Sequence, residues 1–243
     1  MKKENVFDTI KGTSRYNGLK EITLDRRSKV CRLQKGMGIE MKSLKLAAGL
    51  CLLAVLLSGC GQTTVPEEIS EPSLVIGSDG EVTAYLVGEF DKSYYDLSEL
   101  AAMAREEAAE FGRPSSDGTM PVTLDSVEAV KDGSGRVVVA YRFEGTASYK
   151  EFLGNELFYG TVGEAIAQGY LSDMVFQGVG NGSPMTSDAL AAEKERHLII
   201  TNAAAVIYCP SKVTHVSTGA VVNSDGSVDA SQASDTVYII LKK

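Results

Sequence analysis

The stretch Leu46–Leu56, Leu-Ala-Ala-Gly-Leu-Cys-Leu-Leu-Ala-Val-Leu, carries no charge, and Lys42 and Lys45 stand just before it. A segment this apolar belongs in a core or a membrane. It is too short to cross a bilayer, which takes about 20 apolar residues as a helix. A short positive stretch, an apolar run of about 7–15 residues and then small residues is the layout of a secretory signal peptide. Leu57, Ser58, Gly59 and Cys60 complete that layout here.

The ending Leu57-Ser58-Gly59-Cys60 resembles the lipobox of bacterial lipoprotein signal peptides. The resemblance implies that the Cys60 thiol receives a diacylglycerol group and that a peptidase then cuts just before it. Ser58 and Gly59 are small enough to fit such a protease, and Leu57 supplies the apolar contact. Two acyl chains, palmitate among the candidates, anchor stably where one binds reversibly. Cys60 is thus the expected lipidation site, and the extracytoplasmic face of the cell membrane is the expected address.

Four segments follow: 1–40, 41–59, 60–72 and 73–243. A secretory signal starts near its own initiator, so Met41 is the expected start. Lys35-Gly36-Met37-Gly38-Ile39-Glu40 is what a purine-rich ribosome-binding stretch gives when translated. Residues 1–40 therefore read as a mis-called upstream extension, with a basic tail on an uncleaved signal anchor as the alternative. Residues 41–59 are the signal peptide. Residues 60–72 are the lipidated Cys and a polar, acidic, Pro-bounded flexible tether, whose twelve extended residues reach at most about 40 Å, enough to lift a domain off the bilayer. Glu67, Glu68 and Glu71 there repel anionic headgroups, so adhesion of this face to lipid is not expected.

Charge follows the same boundary. Residues 1–59 hold 12 basic and 5 acidic residues, and residues 60–243 hold 12 and 27. An acidic domain lacks the basic surface that nucleic acid requires. With 44% apolar and 23% charged residues, the chain is ordinary for a folded globular domain. Processing removes Cys31 and Cys51 and lipidation uses Cys60. Cys209 is left alone in an apolar run, where a buried structural thiol is expected.

The domain reads as strands and helices in blocks. Strand-like runs fall at 74–76, 82–90, 122–130, 136–143, 197–201, 205–209, 213–217 and 236–241. Ser78-Asp79-Gly80 and Asp132-Gly133-Ser134-Gly135 are turn chemistry between paired runs. Asp96 opens a helix whose apolar residues Leu97, Leu100, Ala101, Ala104, Ala108 and Phe111 share one face, and Gly112 and Pro114 mark its end. Ser148–Glu151 and Thr161–Glu164 have the Ser/Thr-x-x-Glu start signature of helices near 147–153 and 162–168. Ser187 caps another through Glu195. Blocks without strict alternation argue for a single α+β domain with a largely antiparallel sheet and a few short helices.

Two segments, Phe90-Asp-Lys-Ser-Tyr-Tyr-Asp-Leu-Ser-Glu-Leu100 and Leu157-Phe-Tyr-Gly-Thr-Val-Gly-Glu-Ala-Ile-Ala-Gln-Gly-Tyr170, resemble a group of uncharacterised lipoproteins of Gram-positive anaerobes. The resemblance implies the anchored α+β layout. It implies no activity, and no functional residue beyond Cys60.

Motifs for catalysis or cofactors fail on spacing. Gly178-x-Gly180-x-Gly182 lacks the Gly-x-Gly-x-x-Gly pattern, and Pro184 follows it. None of the Asp-Gly pairs at 79, 117, 132 and 225 continues into a calcium loop. His197 and His215 are not spaced as a zinc pair. Glu106–Glu107 and Glu67–Glu68 read as solvated acids. No catalytic residue, metal ligand or cofactor is assigned. The aromatic pairs Tyr94-Tyr95 and Phe158-Tyr159 read first as packing, and second as surfaces for a sugar ring or a partner protein. The sequence thus points to a membrane-anchored binding or envelope-interaction module, with an envelope protein or glycan as partner. An envelope enzyme with scattered residues and an assembly factor for a membrane protein are the alternatives.

Overall fold

The computed structural model describes residues 65–112, 118 and 120–243. The expectations for residues 1–64, including Cys60, and for Pro114 and Asp117 lie outside them. The described residues fall within one compact α+β unit.

Thirteen strands and four helices are formed among these residues. β1 (Ser73–Ile76), β2 (Val82–Glu89), β3 (Val122–Ala129), β4 (Arg136–Phe143), β9 (Val206–Tyr208), β11 (Val221–Val222) and β12 (Val228–Asp229) make a seven-stranded sheet ordered β11-β12-β9-β1-β2-β4-β3. β5 (Leu157–Thr161), β6 (Val175–Gly178), β7 (Met185–Thr186), β8 (His197–Thr201), β10 (Val213–Val216) and β13 (Val237–Leu241) make a six-stranded sheet ordered β5-β8-β13-β10-β6-β7. All pairings are antiparallel except β1 with β9. Antiparallel pairing was expected, but in one sheet. The strands divide between two because each sheet has its own register partners.

The alternation within strands places the core. In β4, Val137, Val139, Tyr141 and Phe143 enter the principal core. They meet Leu74, Ile76 and Val82 of their own sheet and Ile199, Val237, Ile239 and Leu241 of the other. The opposite faces of β8 and β13 bury Leu198, Ile200 and Ile240 in a second cluster with Phe158, Val162 and Leu190. The six-stranded sheet is thus apolar on both faces, which explains the unbroken run His197–Thr201.

Each helix has an identifiable start. α1 (Leu97–Phe111) is capped by Asp96, whose carboxylate accepts the N–H groups of Ser98 and Glu99, and it buries Leu100, Ala104 and Ala108. α3 (Val162–Ala167) has the full capping box of Thr161 and Glu164, as expected. α2 (Thr146–Leu153) is preceded by Gly145 and has no side-chain cap, so Ser148 lies inside it. α4 (Ser187–Ala191) is capped by Thr186, one residue before the expected Ser187, and ends well short of Glu195. Beyond it the chain turns, with Glu193 N–H on Leu190 O and Arg196 N–H on Glu193 O. Arg196 then donates to Leu241 O, Glu193 Oε2 and Thr214 Oγ1 at 2.8–3.0 Å, tying this turn to β13 and β10.

The glycine run 178–182 ends β6 and enters the connection to β7, so a strand and not a helix directly follows it. A Cβ on Gly178 would fall well inside van der Waals distance of the Gly182 backbone. Gly178→Ala will therefore lower stability by about 1–3 kcal/mol, as overpacking does. Urea unfolding monitored by circular dichroism checks this.

Candidate functional site

The flexible tether expected through residue 72 is corrected at its far end, where Glu68, Ser70 and Pro72 are hydrogen-bonded to the domain. Glu68 Oε1 accepts the Lys131 N–H at 3.1 Å, and Ser70 O accepts from Arg136 Nη1 at 2.9 Å. Val206 N–H donates to Pro72 O at 2.9 Å. Lys131 and Arg136, which hold the tether, both belong to the β3–β4 hairpin. The remaining arms of Arg136 stay within that hairpin, Nε on Ser134 Oγ at 2.9 Å and Nη2 on Asp132 Oδ2 at 2.8 Å. The Ser134 hydroxyl and N–H, and then Arg136, hold the Asp132 carboxyl at about 2, below its ordinary value. The ionised form is therefore favoured in the fold. Its contribution is complete above the ordinary carboxylate range and is lost as pH falls toward 2. The pair is exposed, so the contribution is small.

An aromatic corner adjoins this hairpin. Phe90 N–H donates to Gly135 O at 2.7 Å, and a Cβ on Gly135 would touch Asp91. The Phe90 ring lies 5.0 Å from Tyr95, and Tyr94 stands edge-on to Tyr95 at 4.9 Å. Tyr94 is 71% exposed, and Leu97 at the start of α1 is also exposed. The Tyr95 N–H closes a turn on Lys92 O at 3.0 Å, and Lys92 pairs with Asp91 at 2.8 Å. Packing accounts for Phe90 and Tyr95, while Tyr94 is left on the surface. The other pair divides differently: Phe158 is buried in the second cluster and Tyr159 is half-buried.

The other candidates from sequence are not assembled into one site. Cys209 is 3% exposed, and burial pushes its thiol up to about 12, so it is not a ready nucleophile. His197 is exposed, with its ring 5.6 Å from Tyr159. His215 Nδ1 lies 3.0 Å from Thr214 Oγ1 and its Nε2 3.2 Å from Ser183 O, fixing the glycine loop to β10. Glu106 is solvated as expected, but Glu107 is half-buried and accepts the Tyr141 hydroxyl at 3.3 Å. Among the described residues, no group of three or more His, Cys, Asp and Glu is placed to hold a metal ion. Among them, too, no helix is long and apolar enough to cross a membrane.

Sequence reasoning missed Lys131 and Arg136 as the residues that hold the tether. Their partners lie 63 and 66 residues earlier, and no local pattern signals such a pairing. No known family model, curated protein or solved structure matches the chain.

Proposed function

We propose that this chain is a bacterial envelope lipoprotein, anchored by a diacylglycerol group on Cys60 at the extracytoplasmic face of the membrane. Its α+β domain then serves as a binding or envelope-interaction module. The carrying observation is Lys42 and Lys45, the Leu46–Leu56 run and Leu57-Ser58-Gly59-Cys60 standing directly before a self-contained domain. The geometry supports this reading in one respect. The principal core of the described residues runs from Leu74 to Leu241, all of it after Cys60. The partner class is an envelope protein or glycan, and the acidic surface argues against nucleic acid.

The test is the mass of the chain extracted from its host membranes. A chain beginning at Cys60 and carrying a diacylglyceryl group is expected. A chain that retains residues 41–59 with an unmodified Cys60 would overturn the proposal.

A further inference from the structure

We propose that the Phe90–Tyr95 corner is a bilayer-contact surface, with Tyr94 seated among the headgroups of the membrane that holds Cys60. The inference rests on lipidation of Cys60, and the observation that carries it is where the tether meets the domain. The tether is fixed at Glu68 and Ser70 to Lys131 and Arg136. The same hairpin holds Phe90 through Gly135. The corner and the point of tether departure are thus one turn of hairpin apart.

The chain between Cys60 and Glu68 is short. Fully extended, eight residues reach about 28 Å. The headgroup layer is itself about 5–8 Å thick on each side. The end of the domain that bears the corner is therefore kept beside the bilayer. Anchoring also makes the contact intramolecular, so a weak affinity suffices to populate it.

The exposed groups suit that zone. Tyr94 presents an apolar ring with a polar tip 4.9 Å from Tyr95, against which Phe90 packs, and the exposed Leu97 follows three residues on. Aromatic rings of this kind collect at membrane–water interfaces. Lys92 and Lys131 flank the corner, and long cationic stems can lie along an apolar surface while their heads stay wet. Asp91 is paired with Lys92, and Asp132 with Arg136. Glu67, Glu68 and Glu71 remain on the tether. They oppose anionic headgroups, so the corner favours a zwitterionic surface and anionic lipid weakens its contact.

The chain has no Trp, so Tyr94→Trp in the full chain is a single reporter. The variant is produced in a bacterial host, extracted, and reconstituted in phosphatidylcholine vesicles with acyl chains brominated next to the headgroup. The mass of its Cys60 peptide is read on the same sample. The expected result is acylated Cys60, a blue-shifted emission and quenching of at least about two-fold, as an interfacial ring shows. Replacing part of the phosphatidylcholine with phosphatidylglycerol reduces the quenching.

Val221→Trp is the control, at an exposed site on β11, at the opposite edge of the sheet from β3. It stays unquenched; equal quenching at both sites overturns the assignment. Acylated Cys60 with unshifted, unquenched emission from the Tyr94→Trp chain overturns this inference and leaves the proposed function standing. An emission shifted in native membranes but unquenched in pure lipid means that an envelope protein or glycan covers the corner, and also overturns it. An unmodified Cys60 overturns both.

Discussion

Phe143→Ala will cost about 4 kcal/mol of stability, the largest loss expected of any single truncation in this domain. Phe143 is fully buried and stands in register between Val82 of β2 and Val122 of β3. Its ring packs edge-on to Tyr149 at 5.4 Å, with Phe152 at 5.7 Å and Tyr141 at 6.4 Å. Phe152 in turn meets Phe111 at 5.1 Å. One side chain therefore joins β4 to α2 directly and to α1 through Phe152. Its removal loses the transfer free energy of the ring and leaves a cavity. The surrounding rings can fill that cavity only by leaving their edge-to-face geometry. For a domain of this size the loss corresponds to a fall in Tm of about 8–16 °C. Thermal unfolding by circular dichroism, with exposed Val221→Ala as the near-neutral reference, measures it. A cost below about 1 kcal/mol would mean that the cluster does not carry the packing assigned to it.

The parts of the fold legible in sequence are those whose signal is long or chemically specific. α1 shows both an apolar face repeated over four turns and an Asp cap. β4 is an eight-residue run matching the expectation to the residue. Short elements carried too little pattern. β6, β7, β11 and β12 have two to four residues each, less than alternation needs to be distinguished from loop. β5 was hidden because Leu157–Thr161 runs directly into the α3 capping box, and Thr161 belongs to both signals. At α4 two neighbouring hydroxyls competed for the cap, and Thr186 won because its side chain reaches the Ala189 N–H. The division into two sheets was not legible at all. It depends on pairings such as β1 with β9, joined by register across more than a hundred residues. The same limit applies to the candidate site. Tyr94-Tyr95 could be singled out as an aromatic pair, read first as packing, but the exposure of Tyr94 and its proximity to the tether exist only through the fold around the β3–β4 hairpin. An apolar corner beside an anchor and one facing away from it look identical in sequence.

Cys60→Ala will release the chain from the membrane fraction on alkaline carbonate extraction, where the unsubstituted protein stays in the pellet. The expectation follows from comparing the two hydrophobic elements available. The Leu46–Leu56 run, taken as a helix, spans about 16 Å, roughly half the hydrocarbon thickness of about 30 Å. It cannot hold the chain as a spanning segment. A single acyl chain also binds only reversibly, whereas two chains contribute about 0.8 kcal/mol for every buried methylene. Under the proposed anchoring, retention depends on the diacylglycerol group, and that group requires the Cys60 thiol. The substituted chain also keeps residues 41–59, since cleavage in lipoprotein signals follows lipid attachment, and it runs larger on a gel. The fold itself is unaffected, because the described core begins at Leu74. Unchanged thermal unfolding of the released protein thus separates loss of the anchor from loss of structure. A Cys60→Ala chain that remains in the carbonate pellet at the level of the parent means that another part of the sequence holds the membrane, and the anchor assignment falls.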